Sequence, residues 1–315
     1  MSTPRAAASV GAVASAGPVS GEVTVVVITR GRRQELAAAL TRLEQLPERP
    51  GVVVVDNGSS DGTVAMVRRD FPAVRLLALG TNLGAAGRNA GAALCTTPFV
   101  AFCDDDTWWS PGSLDRAASL LRRHPRIAVV TARIVVEPSG ATDAISDEMG
   151  RSPLPRPPGL PGSPLLSFLA GASVVRRRAF LGCGGFNPLL VIGGEEELLG
   201  TDLADAGWDM AYVPDIEVHH RASTQRDPHL RRRQGIRNTL WYTWLRRASR
   251  PAAARSISLL AGLPRDRHSA RALLEAVGGI GWVAASRREV GADVEAGLRL
   301  LDADHARSEA RRYVS

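Results

Sequence analysis

Phe99-Val-Ala-Phe-Cys-Asp-Asp-Asp-Thr-Trp-Trp109 runs from apolar residues straight into three consecutive carboxylates. Phe99–Cys103 reads as a buried strand. Asp104, Asp105 and Asp106 at its end would repel one another without a cation between them. Side chains two apart in an extended chain share a side, so Asp104 and Asp106 are expected to face one ion together. Oxygen ligands suit Mg²⁺ or Mn²⁺, and such an ion is the usual means of holding a diphosphate among carboxylates. Alone, an acidic triplet would be read as a solvated turn. The segments around it decide otherwise.

Upstream, Val23-Thr-Val-Val-Val-Ile-Thr29 is a β-branched run suited to a strand buried on both faces. Gln34–Leu46 carries Leu36, Leu40 and Leu43 at helical spacing and is stopped by Pro47 and Pro50. Val52–Asp56 is a second buried strand, so strand, helix and strand follow within about thirty residues, a βαβ unit with a parallel sheet. Ligands then belong at the carboxyl ends of the strands. Asp56 sits at such an end and can accept hydrogen bonds from ribose hydroxyls or a base edge, while Asp61 is suited to cap the helix beginning near Thr63. After a short strand at Val74–Leu79 comes Asn82–Gly91, whose small residues allow close helix packing and whose Arg88 and Asn89 offer donors toward a nucleotide. A dinucleotide oxidoreductase is excluded, because Thr29-Arg-Gly-Arg-Arg33 stands where GxGxxG is required.

Downstream, a basic amphipathic helix runs to about His124, followed by a strand at Ile127–Val136. The pattern dissolves over residues 137–164, where Arg151–Pro164 is too proline-rich for helix or interior strand. A helix is expected to start near Glu195 and close at Gly207. Tyr212–His220 reads as an edge strand ending in paired histidines able to touch a metal or a diphosphate. From His229 to Arg247 the chain is basic and aromatic, with Ile236, Leu240 and Trp244 recurring every four residues. Such a helix can pack on the catalytic body or lie on an anionic membrane surface.

The 315 residues carry a net charge of +7, all of the positive charge as arginine, and imply anionic partners. Cys95, Cys103 and Cys183 are isolated and read as core thiols of a reducing compartment. Residues 1–20 are rich in Ala, Ser and Gly without Leu, Ile or Phe, which suits a disordered tail better than a secretory signal. No run is long enough for a membrane span. A cytoplasmic protein is expected, with peripheral contact at the inner face of the membrane as the role left open for the basic helix.

Val25–Arg33, Val54–Thr63, Asn82–Gly91 and Phe102–Trp109 stand in an order and at separations that resemble the family-2 glycosyltransferases of the GT-A fold. The resemblance covers roughly residues 22–245. It implies an α/β, Rossmann-like and mostly parallel sheet flanked by helices over residues 21–226, with a nucleotide-binding half (21–106) and an acceptor half (107–226). A C-terminal helical extension would span 227–315. It implies inverting transfer of a sugar from a nucleotide-diphosphate donor to an acceptor hydroxyl of a glycan, a lipid-linked glycan or a small molecule, with Mg²⁺ or Mn²⁺. The donor would be held by Thr29, Arg32, Asp56, Asn82, Arg88, Asn89, Asp104, Asp105 and Arg237, and the metal by Asp104, Asp106 and His219. The general base falls on Glu196, with Glu195 as its rival. Residues 137–164 would be an acceptor loop or a flexible insertion. Two other functions stand against this one: a nucleotide-sugar-binding protein without catalysis, and a basic nucleic-acid-binding protein. The second is disfavoured because acidic strand ends repel phosphate backbones.

Overall fold

A computed structural model describes residues 21–221 and 228–305. The tail expected at 1–20 and the boundary expected at 226/227 lie outside the described residues.

The first half alternates strands and helices: β1 (Val23–Thr29), α1 (Arg33–Glu44), β2 (Gly51–Asp56), α2 (Thr63–Asp70), β3 (Arg75–Ala78), α3 (Gly87–Leu94) and β4 (Phe99–Asp104). The β-branched run of β1 pairs in parallel with β2 on one side and β4 on the other, which leaves Val25, Val26 and Val27 fully buried. Helix α3 packs so closely on β1 that a Cβ at Gly91 would lie 2.5 Å from the Val26 side chain. Asp61 serves two helices with one carboxylate: Oδ1 accepts from the Thr63 N–H (3.1 Å) and Oδ2 from the Arg33 N–H (3.0 Å). Both helix starts therefore sit beside the carboxyl ends of β1 and β2.

The second half continues with β5 (Thr107–Trp109), α4 (Ser113–Arg123), β6 (Ile127–Val136), β7 (Ala141–Thr142), α5 (Ala144–Gly150), β8 (Ser163–Pro164), β9 (Ser173–Arg176), α6 (Arg177–Gly182), α7 (Glu195–Asp205) and β10 (Asp209–His220). The order along the sheet is β3-β2-β1-β4-β9-β6-β10-β5, with β7 added to β6 and β8 to β10. Strands β9 and β5 run against the rest, as do the two-residue β7 and β8. Two expectations change here. Strand β10 is not an edge strand, since it lies between β6 and β5. The patternless stretch 137–164 contains a helix, α5, upstream of the proline-rich Arg151–Pro164, and Asp143 caps its start by accepting from the Ile145 N–H (2.9 Å).

Five helices complete the described chain: α8 (Pro228–Arg246), α9 (Ser249–Gly262), α10 (Arg267–Gly278), α11 (Ile280–Ser286) and α12 (Ala292–His305). The aromatic side of α8 packs inward, with Leu240, Trp241, Tyr242 and Leu245 buried against Leu190 and Leu198 of the catalytic body. Arg247 is fully buried, pairing with Glu295 (2.9 Å) and Asp302 (2.8 Å) of α12. Among the described residues no helix is long and apolar enough to cross a membrane.

Candidate active site

The carboxyl ends of β1, β2 and β4 gather the first set of functional groups. Asp56 is buried, and its Oδ2 accepts from the Gly58 and Ser59 N–H groups (3.2 and 3.0 Å). Its Oδ1 is buried with no hydrogen-bond partner among the described residues. A buried, unsatisfied carboxylate oxygen at a strand end is a ready acceptor for a ligand hydroxyl or ring N–H. Asn82 instead closes its own turn, accepting from the Gly84 N–H (2.9 Å). Asn89 is turned away from the groove: it donates to the Phe186 carbonyl (2.8 Å) and accepts from the Phe186 N–H (2.9 Å). A Cβ at Gly185 would lie 2.5 Å from that amide, so the Gly184-Gly185 turn is shaped around Asn89. Asn89 holds the loop leading to α7 rather than offering a donor to a nucleotide.

The acidic turn opens outward. Asp104 ends β4, Thr107 starts β5, and Asp105 and Asp106 form the turn between them. The alternation of an extended strand stops at Asp104, so Asp104 and Asp106 do not share a side. Asp104 pairs with the buried Arg88. Asp105 accepts from the Thr29 hydroxyl and from Arg32 Nη1, both at 2.9 Å. Burial pushes the Asp105 carboxyl up to about 6 even though Arg32 pulls it down. Asp106, also buried, lies 3.4 Å from Arg32 and 3.7 Å from Nε2 of His220.

That last contact puts His220, where His219 was expected, beside Asp106. His219 is in register with Trp108 and stacks on its ring at 5.4 Å, while its two ring nitrogens meet Glu137 (2.8 Å) and Ser110 (2.9 Å). Its neighbour must point the other way, because a shift of one residue in a strand exchanges faces. His220 is therefore the histidine beside Asp106. Among the described residues no three His, Cys, Asp or Glu side chains gather as a metal cage. Mg²⁺-type ions on nucleotides rely on one or two protein ligands, the phosphates and water. A buried Asp106 with His220 at 3.7 Å suits that need.

The second set lies on α7 and is brought to the first by two consecutive residues. The Ala170 N–H donates to Glu196 Oε1 (2.5 Å), and Gly171 packs on Asp104 so tightly that a Cβ there would fall 2.7 Å from Oδ2. Glu195 is buried on the side of Arg88 and Asp104, with Oε2 lacking a hydrogen-bond partner, and burial holds it above the usual carboxylate range. Glu196 is half-buried; burial, and then the charge of Glu195, push it up to about 8. Such a carboxylate is an unusually strong proton acceptor.

The loop before α7 is fastened from both sides. Ala85 N–H donates to the Val191 carbonyl (2.7 Å), and Val191 itself has φ +34°, a strained value for a β-branched residue. The side-chain amide of Asn238, fully buried in α8, reaches the carbonyls of Leu190, Ile192 and Gly193 at 2.7, 3.0 and 2.6 Å. Arg237 does not reach the groove. It donates to Asn238 Oδ1 (2.9 Å), lies over the Trp241 ring at 4.4 Å and approaches Glu275 at 3.7 Å. The Arg-Asn pair carried a signal, and Asn238, which sequence reasoning passed over, is the residue that meets the loop.

On the far side of Glu196 a cavity of about 310 Å³ opens between α5, the 165–169 segment, α8 and α12. Two sets of acids thus flank one segment of backbone, with a charged groove on one side and a chamber on the other. Comparison with known proteins gives the family. The sequence matches Glycosyl transferase family 2 over residues 24–182. The chain belongs to this family.

It is 32% identical over 240 residues to an N-acetylglucosaminyl-diphospho-decaprenol L-rhamnosyltransferase of Mycobacterium tuberculosis, covering 65% of this chain and 78% of the relative. It is 33% identical to a pre-mycofactocin glycosyltransferase of the same organism, covering 66% of this chain but only 44% of that protein. In fold it resembles a mannosyltransferase from Pyrobaculum calidifontis solved with GDP-Man and Mn²⁺ (TM-score 0.56, 21% identity, 93% of this chain and 83% of that one). The protein is accordingly a nucleotide-sugar glycosyltransferase of family 2 with a GT-A fold. The family match ends at residue 182, before Glu196 and the helices beyond it.

Proposed function

We propose that this family-2 enzyme transfers a sugar with inversion from a nucleoside-diphosphate donor to an acceptor hydroxyl, with Glu196 as general base. The observation that carries the reading is the contact of Ala170 with Glu196 and of Gly171 with Asp104. It brings a proton acceptor and the carboxylate that opens the acidic run against two consecutive residues of one backbone segment. Single displacement needs that arrangement: the base deprotonates the attacking hydroxyl on one side of the sugar while the diphosphate departs on the other. Asp56 would receive the nucleoside, and Arg32 and Arg88 supply positive charge beside the diphosphate. Asp106 and His220 would hold a divalent cation whose bound charge offsets that of the leaving group. Glu195, the more buried of the two, would act on the donor side.

The decisive measurement is nucleotide release from a panel of UDP-, GDP- and dTDP-sugars with Mn²⁺, Mg²⁺ or excess chelator. Turnover of at least one donor is expected, lost with chelator and lost in Asp106→Ala. Saturable donor binding with no turnover of any donor would make the protein a non-catalytic binder. Full activity in chelator would remove the metal from the proposal.

A further inference from the structure

The chamber beyond Glu196 is chemically unlike the rest of this protein. A chain of net charge +7 would be expected to line its pockets with arginine. Here Glu196, Glu197 and Asp304 line the chamber without an ion-pair partner among the described residues. Its one arginine, Arg255, is paired with Asp302 and lies over the Tyr242 ring at 5.8 Å. The remaining wall is largely apolar, with Met149, Leu165, Phe168 and Leu298 all buried around it. A volume of about 310 Å³ is at the small end for ligand sites, which run from roughly 300 to 1,000 Å³.

Taking Glu196 as the base, we propose that this chamber receives the acceptor, and that the end which enters it is an uncharged hydroxyl compound with an apolar body. Apolar walls reward burial of a ring or alkyl group next to the reacting hydroxyl. An anionic group brought into the same space meets the carboxylates of Glu197 and Asp304, while Arg255 is already held by Asp302, an arrangement that works against wrong partners. The charge pattern also sorts the two substrates. The donor diphosphate is drawn to the side of Arg32 and Arg88 and kept out of the acceptor chamber. The helices contributing Tyr242, Arg255, Leu298 and Asp304 are α8, α9 and α12, so acceptor choice is assigned to the C-terminal helices.

The test uses the full chain with whichever donor is turned over. Acceptors are octyl and p-nitrophenyl glycosides, the parent free sugars, and the same glycosides carrying a phosphate. The neutral glycosides should exceed the free sugars by about tenfold or more in kcat/KM, and the phosphorylated ones by about a hundredfold. In Glu197→Gln/Asp304→Asn the penalty on the phosphorylated acceptors should shrink about tenfold. Free sugars performing as well as the glycosides would overturn the apolar body. Phosphorylated glycosides performing as well, or a penalty untouched in the double variant, would overturn the exclusion of anions. Donor hydrolysis is read in every reaction. Hydrolysis without transfer to any neutral glycoside overturns the acceptor assignment and leaves the transferase standing. Absence of both hydrolysis and donor binding overturns the transferase reading itself.

Discussion

The groove at the ends of β1, β2 and β4 and the chamber beyond Glu196 both rely on carboxylates, yet they treat them in opposite ways. In the groove Asp104, Asp105 and Asp106 each stand within ion-pairing distance of an arginine. Beyond Ala170, Glu196 accepts a backbone N–H but forms no ion pair, and burial and the charge of Glu195 raise its proton affinity although Ala170 and Arg88 lower it. Charge that is already balanced can be exchanged for the charge of a ligand, which is what holding a diphosphate requires. Charge that is unbalanced and poorly solvated seeks a proton. One residue type thus serves binding or base chemistry according to whether an arginine pairs with it directly or burial and a like charge dominate.

The largest effect that can break this contrast is at Glu196. Glu196→Gln keeps the bond from Ala170 but cannot take a proton, so kcat should fall by about 10²–10⁴-fold. Donor affinity should stay within about twofold, because no metal or arginine contact is lost. Glu195→Gln should act on donor binding. If Glu195→Gln alone is dead with donor affinity intact, the roles are exchanged.

Next comes the support of the base. Asn238→Leu removes the amide that holds three carbonyls of the loop before α7. Leaving buried carbonyls unsatisfied costs about 1–3 kcal/mol, and misplacing a base by about 1 Å can cost about 10²-fold in rate. A fall in kcat with unchanged donor Kd is expected in stopped-flow binding and turnover assays. Loss of donor binding instead would show that the clamp serves both sides.

A smaller effect concerns pH. Asp105 and Glu196 have values raised above 3.8 and 4.5, to about 6 and about 8. The folded state therefore holds protons that the unfolded state has released. Their favourable contribution is complete below about pH 4 and is lost as pH rises through 6 for Asp105 and through 8 for Glu196. Glu196→Gln should be more heat-stable than the parent at pH 9 and nearly equal at pH 4–5, by roughly 2–4 °C for each kcal/mol recovered. A difference in melting temperature that does not grow with pH would mean that Glu196 is not held protonated.

The smallest effect concerns membranes. The tryptophans that suggested surface contact are engaged inside: Trp241 is buried, and Trp244 donates to Ser256 (3.0 Å). The three most exposed large apolar side chains among the described residues are Ile257, Leu274 and Val277, at 68%, 73% and 59% exposure, on α9 and α10. Weak co-sedimentation with anionic vesicles, falling with salt and reduced about twofold in Leu274→Ser, is expected. Equal sedimentation with neutral vesicles would remove the electrostatic part.

The donor side was legible in the sequence because its parts are local. A β-branched run followed by Asp56, or an apolar run followed by Asp104, encodes both the strand and the group at its end. The errors arose where position depends on distant pairing. Asp104 and Asp106 diverge because the chain turns immediately to form β5. The choice between His219 and His220 is made by the register of β10 with Trp108, more than a hundred residues upstream. Asn238 meets a loop 45 to 48 residues away, and nothing in its own neighbourhood announces that partner. Helix periodicity did place α7 and with it Glu196, but the chamber beside it is assembled from helices whose faces only packing can assign.

The pairing of Arg247 with Glu295 and Asp302 sets an order of events during synthesis. When α8 leaves the ribosome, the residue just past its end is a cation destined for full burial, and the two neutralising acids are still untranslated. Docking α8 then would bury an uncompensated charge, which costs about 3–5 kcal/mol when one partner of such a pair is missing. The βα half can fold as it emerges, since its contacts close within a short length of chain. The loop that leads into α7, and with it Glu195 and Glu196, must wait for the final helix. A nascent chain is thus able to gather a nucleotide pocket well before it can move a sugar.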